Sequence, residues 1–462
     1  MSVHVGDSEI AADFPKASRE LLGNDQLRRN VRRATDIIRN KRANVVSEMP
    51  DWEDLRTAAS AIKSRVLRNL DRYLEQFEEA CTRAGGHVHW ARDADEANRI
   101  IIGLIESHGQ KEVIKVKTMT SDETRLNKAL EAAGITPWET DLADLIIQLG
   151  KDKPSHIVVP ALHRNKSEVR ELFLREMKLS ELGTQPEDLT AAARAYLRER
   201  FLRVKAGFSG ANFAIAETGS VCVVESEGNG RMCVTLPDVL ITMLGIEKII
   251  PSFDDLEVFL QLLPRSATGE RMNPYNSIWT GVTEGDGPKE FHVILLDNGR
   301  TNVLADEESR ETLHCIRCAA CLNICPVYRQ TGGHAYGSIY SGPIGAILTP
   351  QLHGMEHSQS LPYASSLCGA CYEVCPVKIN IPEILIHLRR RLVEAGEAPA
   401  MEGIGMKAAA IAMADGGRFG MAEKLVRIGQ PFARFVATGW AESRDLPEAP
   451  KETFREWWGK RS

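Results

Sequence analysis

The sequence of 462 residues contains no uninterrupted run of 18 apolar residues. Its greasiest stretch, Val239 to Ile250, is broken by Glu247 and Lys248, so no transmembrane segment is expected. The opening Met1-Ser-Val-His-Val-Gly-Asp-Ser-Glu9 has neither the basic nor the apolar region of a signal peptide. Basic charge is not in excess either, because the net charge is −6. No general footprint for nucleic acid follows from such a balance. Arg28, Arg29, Arg32, Arg33, Arg39, Lys41 and Arg42 do gather near the start. Acidic residues interleave with them, and the pattern reads as a solvated helix face. Outside two short runs only three cysteines occur, Cys81, Cys222 and Cys233. They fall on apolar helix or strand faces and read as buried, inert thiols.

The other seven cysteines define the chain. The first run is Cys315-Ile-Arg-Cys318-Ala-Ala-Cys321-Leu-Asn-Ile-Cys325-Pro326. This is the bacterial iron–sulfur spacing C-x2-C-x2-C-x3-C-P. The second run, Cys368-Gly-Ala-Cys371-Tyr-Glu-Val-Cys375-Pro376, repeats it with Ser365 in place of the opening cysteine. Three thiolates at this spacing wrap one cluster, and the fourth ligates the other cluster in two-cluster ferredoxins. The spacing assigns Cys315, Cys318, Cys321 and Cys375 to one [4Fe–4S] cluster. It assigns Cys325, Cys368 and Cys371 to a second, [4Fe–4S] or [3Fe–4S]. That cluster's fourth ligand is Ser365, another residue, a water or nothing. Zinc fits poorly, because a zinc site wants four ligands in two separated pairs. A disulfide framework fits worse, given cysteines crowded in a long chain. Cluster thiolates need a reducing compartment, which reads as cytoplasmic, with any membrane association peripheral and through partners.

The hydrophobic fraction of 43% allows large cores, and the length implies several domains. One long helix is expected over 51 to 83, with Asp51 as N-cap and Gly85 and Gly86 past its end. Strands are expected at 87–91, 112–116, 135–139, 156–160, 213–216, 220–225, 231–235, 248–251 and 291–297. Helices are expected at 94–107, 121–133, 165–178, 187–205 and 254–264. The rhythm argues for a mostly parallel sheet flanked by helices. Residues 207 to 220 read as a glycine-rich loop and hairpin turn, able to cradle an anion or simply to connect. This loop is neither a Walker A sequence nor G-x-G-x-x-G. Lys115, Lys117, Glu139, Asp141 and His163 sit near strand ends, where such folds place ligands. His87 and His89 share a strand face, but no third metal ligand is evident and they read as structural. His314 is placed to tune the first cluster or to lie at the surface. After the cysteines come a helix over 383–395 with a basic face, a helical region over 401–438, and a polar tail with Trp440, Trp457 and Trp458. These tryptophans suit docking on another surface or packing on their own domain. The expected divisions are a helical extension (1–50), an α/β domain (51–300), a two-cluster module (301–395) and a C-terminal helical segment with tail (396–462).

Several stretches carry a resemblance. Among them are Tyr73-Leu-Glu-Gln-Phe77, Gly85-Gly-His-Val-His-Trp-Ala91, Ala214-Ile-Ala-Glu-Thr-Gly219 and Gly332-Gly-His-Ala-Tyr-Gly-Ser-Ile-Tyr340. Leu361-Pro-Tyr-Ala-Ser-Ser-Leu-Cys368 and the closing segment from Asp445 to Trp458 extend it. Over nearly its whole length the chain resembles the lactate utilization protein B family, iron–sulfur subunits of a three-part bacterial L-lactate oxidation system. The resemblance implies an α/β domain like those of sugar isomerases and CoA transferases, followed by an α-helical ferredoxin-like module. It implies the same seven cysteine ligands, and Ser365 belongs to its usual pattern. It also implies two partner subunits and an electron relay from lactate to an unidentified acceptor. No stretch reads as a flavin or nicotinamide site, which points to a partner for the chemistry on lactate. Two other classes compete. One is a catalytic α/β domain acting on a small anionic metabolite with clusters serving it in cis. The other is a redox-sensing interaction module.

Overall fold

The computed structural model describes residues 13–397, 400–430, 448 and 450–461. They fall into two compact units, one through Arg391 and one from Leu392 onward.

The first unit is built on a six-stranded sheet and a smaller four-stranded one. In chain order the strands are β1 (His87–Ala91), β2 (Glu112–Lys115), β3 (Thr136–Glu139), β4 (Ala206–Gly210) and β5 (Phe213–Ile215). There follow β6 (Ser220–Glu225), β7 (Val239–Gly245), β8 (Ile249–Ile250), β9 (Tyr275–Trp279) and β10 (Glu290–Leu296). The large sheet has the order β1-β10-β7-β4-β2-β3, and every pairing in it is parallel. Its central strand β7 is buried along its whole length. Val239, Ile241 and Met243 face one layer with Ile101, Ile105 and Leu130. Leu240 and Leu244 face the opposite layer with Phe77 and Phe259. Helices cover both faces, so the strand is hydrophobic throughout rather than alternating. Each such buried side chain contributes roughly 1.5–3 kcal/mol.

The small sheet has the order β8-β5-β6-β9, with β5 and β6 as an antiparallel hairpin. Its turn is Ala216-Glu217-Thr218-Gly219, with Gly219 at φ +68°. A Cβ there would lie 2.2 Å from the backbone nitrogen of Cys81. Close packing on a helix, rather than an anion, accounts for this glycine.

Several expectations need correction. The helix over 51–83 is two helices, Trp52–Arg68 and Leu70–Arg83, parted at Asn69 (φ −136°, ψ 39°). Asp51 stands at the N-cap position without a side-chain cap bond. Arg125, at φ +53°, divides the helix over 121–133 into Met119–Glu123 and Leu126–Ala132. Residues 231–235 belong to a helix, Asn229–Thr235, not a strand. Gly207 and Gly210 lie inside β4, not in a loop. Residues 156–160 form no strand. Their backbone is irregular because it latches the cysteine module: Tyr328 Oη donates to the Ser155 carbonyl at 2.7 Å, and His156 Nε2 meets Asn323 Oδ1 at 3.2 Å.

The N-terminal region is two helices, Phe14–Leu22 and Asp25–Ser47. The second is not only a solvated face, since Leu27, Val31 and Thr35 are buried. A single hydrophobic core joins Phe14 and Val31, the sheet residues Leu240 and Phe291, and Cys318, Ile344 and Leu385. The cysteine module is thus fused to the α/β layers. In the second unit, helices Ala400–Met413 and Gly416–Gly429 precede a last helix, Phe454–Gly459. Asp415 caps the Gly417 and Arg418 N–H groups, and Arg427 pairs with Glu456 at 2.9 Å. Trp457 and Trp458 pack against Phe454 within that unit. Trp440 and residues 431–438 lie outside the described residues.

Candidate metal centre and sheet-edge pocket

The two cysteine runs follow the same backbone path, each position of the second lying 50 residues after its counterpart. Left-handed φ values recur in register: +62° at Arg317 and +54° at Leu367, then +62° at Ala319 and +83° at Gly369. Such turns direct backbone N–H groups inward. Short helices Ala320–Ile324 and Ala370–Val374 follow and pack on each other. The Arg317 N–H donates to Cys315 Sγ at 3.4 Å, and the Leu367 N–H donates to Ser365 Oγ at 3.1 Å. Ser365 therefore occupies the place of the missing cysteine. The Tyr328 and Ile379 N–H groups donate to Cys325 Sγ at 3.5 Å and Cys375 Sγ at 3.4 Å.

Cys315, Cys318, Cys321 and Cys375 come together around one small cavity, whose wall also includes Arg317, Ile157, Ile344, Ile379 and Ile381. Cys325, Cys368 and Cys371 form a second group, close enough to repel one another as thiolates. Cys368 is exposed, whereas Cys325 and Cys371 are buried. Burial pushes Cys318 and Cys371 up to about 12 and Cys375 up to about 11, and neighbouring thiols add to each rise. Such thiols ionise when a metal supplies the compensating charge. A sulfur-only donor set backed by N–H groups fits an iron–sulfur centre rather than a hard cation. Cys81, Cys222 and Cys233 are also buried and pushed up to about 12 by burial, but stand apart from these groups.

Arginines from distant helices fix the second loop. Arg56 donates to the carbonyls of Cys375 (2.9 Å) and Tyr372 (3.2 Å), and Arg42 donates to that of Val374 (3.0 Å). They satisfy carbonyls left open at the end of helix Ala370–Val374. The first loop is fixed by Arg317. Its guanidinium lies over the Tyr340 ring and donates to Glu247 at 3.2 Å. Glu247 also accepts from Arg300 at 2.5 Å, and Arg300 forks onto Glu123 at 2.8 and 2.9 Å. His314 is buried beside Cys315, not at the surface, and burial lowers it to about 4. The sequence offered one sign of Arg317: a charged residue in the first loop where the second has Leu367.

A second cavity, of about 380 Å³, opens at the carboxyl ends of β2, β3 and β4. Of the five candidates near strand ends, Lys117 and Asp141 line it. Lys115 and Glu139 instead form a buried pair at 2.7 Å. His163 bridges Asp152 (2.9 Å) and Ser155 (2.8 Å), holding the latch loop. His87 and His89 face His292 on β10, with His89 Nε2 and His292 Nδ1 3.1 Å apart.

The LUD domain family matches residues 74–296, and the 4Fe-4S dicluster domain family matches residues 311–379, which include both cysteine runs. "Lactate utilization protein B" of Bacillus licheniformis is 44% identical, covering 97% of this chain and 96% of that protein. The protein of the same name from Bacillus subtilis is 43% identical over the same shares. The chain belongs to the lactate utilization protein B family. A further relative, "Uncharacterized electron transport protein YkgF" of Escherichia coli, is 43% identical, with 97% and 96% covered. A crystal structure of a DUF162 family protein from Deinococcus radiodurans is 14% identical, covering 49% of this chain and 98% of that one, with a TM-score of 0.28. That likeness is too slight to bear on the fold. The mostly parallel α/β layers, the ferredoxin-type module and the helical C-terminal region accord with the family, and the dicluster match makes this an iron–sulfur protein. Among the described residues no helix is long and apolar enough to cross a membrane.

Proposed function

We propose that the chain is the iron–sulfur electron-transfer subunit of a system that oxidises L-lactate to pyruvate. The observation that carries this is the pair of cysteine groups, formed by two equivalent loops and packed side by side, in a chain so similar to lactate utilization proteins. Cys315, Cys318, Cys321 and Cys375 hold one [4Fe–4S] cluster. Cys325, Cys368 and Cys371 hold the second, with Ser365 nearest the place of a fourth ligand. Clusters bound there supply one-electron transfer. The chain's own part is to fix the thiolates, aim N–H groups at them, and cover the first set with isoleucines that exclude water. Exposed Cys368 gives the second set the shorter path to a partner. Two partner subunits complete the system, and one of them acts on lactate. The expected layout keeps 51–300 as the α/β domain and 301–395 as the two-cluster module.

Iron counting and EPR on anaerobically purified protein test this. About eight irons per chain are expected for two cubanes, and about seven for a three-iron second cluster. Fewer than three would overturn the assignment. Turnover of lactate with an artificial acceptor by this chain alone would defeat the pure relay.

A further inference from the structure

We infer that the cavity at the carboxyl ends of β2, β3 and β4 binds a small organic monocarboxylate anchored by Arg317. The inference rests on the proposed role in lactate oxidation and gives this chain a ligand site of its own. Its first support is topology. From β2 the sheet continues outward to β3, whereas from β4 it continues the opposite way to β7. The crevice outside the carboxyl ends of two such strands is where open α/β sheets bind ligands. The cavity lies there, bordered by Lys117 and Thr118 after β2 and by Ala211 and Asn212 after β4. Its volume of about 380 Å³ is within the range of small-molecule sites.

The second support is charge. Arg317 lines the cavity, its side chain is 9% exposed, and its Nη1 has no hydrogen-bond partner. A buried guanidinium nitrogen left without an acceptor is costly, and a carboxylate is its natural complement. The acidic residues of the wall already have donors. Asp141 accepts from the Ala143 and Asp144 N–H groups, Glu227 from that of Leu142, and Glu225 from those of Glu227, Gly228 and Arg231. Lys117 is paired with Asp144 at 3.1 Å. Both cations of the wall thus keep donors for a ligand, Arg317 with a buried nitrogen that has no acceptor and Lys117 with N–H groups beyond its pair to Asp144. Val116, Ile157, Val159 and Leu263 offer apolar surface to a short carbon chain.

The third support is position. Arg317 and Ile157 also wall the cavity of Cys315, Cys318, Cys321 and Cys375. A carboxylate on Arg317 would place its charge one residue from the first thiolate set, so occupancy is felt at that centre.

The test titrates iron-replete full-length protein, kept anaerobic, with L-lactate, pyruvate and sulfate by calorimetry, and records EPR with and without each. One lactate or pyruvate per chain should bind and alter the signal of one cluster. Arg317→Leu should weaken binding roughly ten- to hundredfold, as for a lost charged hydrogen bond. Ala267→Phe, which fills the cavity from the end of helix Phe253–Ala267, should do the same with iron content unchanged. Unaltered binding in Ala267→Phe, or sulfate binding as tightly as either acid, would overturn the inference. Iron-replete protein that ignores both acids would sink it while leaving the electron-transfer reading intact. Wild-type protein with fewer than three irons would instead sink that reading.

Discussion

Arg300→Met should be among the most damaging single changes in the molecule. Arg300 is 1% exposed and lies between two carboxylates, Glu123 and Glu247, that are equally buried. It donates twice to Glu123, once to Glu247 and once to the Asp297 carbonyl, while Tyr340 Oη donates to Glu123 at 2.5 Å. Burial alone would raise Glu123, but the Arg300 charge and these bonds hold it at about 2. Removing one partner of a buried ion pair costs about 3–5 kcal/mol, because the other charge is stranded. Here Glu123 would lose its paired cation outright, while Glu247 would keep Arg317, so the loss should reach the top of that range. A domain of ordinary stability has only about 5–15 kcal/mol to lose. Urea denaturation followed by circular dichroism would measure it. The sign with pH also follows. In the wild type the Glu123 pKa is depressed, so its stabilisation is complete above the unfolded value of about 4.5 and lost as pH falls towards 2. In Arg300→Met burial would raise it instead, so the variant's deficit should shrink as pH falls from 8 to 5. Adding Glu123→Gln and Glu247→Gln should recover part of the loss. A deficit below about 1 kcal/mol, or one that the two glutamines leave untouched, would refute this account of the buried charges.

Other outcomes are open to measurement. Cys371→Ala should lose about half the iron, leaving the EPR signal of the first set, and Ser365→Cys should retain iron through air exposure better than wild type; identical iron loss in both would contradict the assignment. Gly333→Val should destabilise by about 1–3 kcal/mol in thermal melts, because a Cβ at Gly333 would lie 2.1 Å from the Ser155 carbonyl oxygen. Burial lowers His156 and His292 to about 4, so their contribution is complete above about 6.5 and lost as pH falls towards 4. Urea midpoints at pH 7.5, 6 and 4.5 should therefore fall, less steeply in His156→Gln; a flat profile would exclude the idea.

Much was legible in the sequence because its physics is local. Ligand spacing for a cluster is met within a loop of a dozen residues, so the cysteine groups and the vacant place at Ser365 could be read directly. The helix Ala94–Ser107, capped by Asp93, and the strand His87–Ala91 fall at their expected residues. The sheet's middle was harder. β4 and β7 are covered on both faces, so they lack the alternation that marks a strand. Gly207 and Gly210 suggested a loop, yet a Cβ on them would lie 2.5 Å from the Cys233 carbonyl and 2.3 Å from Thr118 Oγ1. Only the packed neighbours explain those glycines.

What the chain by itself determined, then, is the set of thiolates and the alternation of strand and helix. The tertiary structure decided what surrounds them. Arg56 meets Cys375 across 319 residues of chain, and Arg300 meets Glu123 across 177. Arg317 came to line both the thiol cavity and the pocket at the sheet's edge because β2 and β4 send the chain in opposite directions beside it. Charge pairs of this kind are specified by how layers close on one another, and no local period or spacing records that approach.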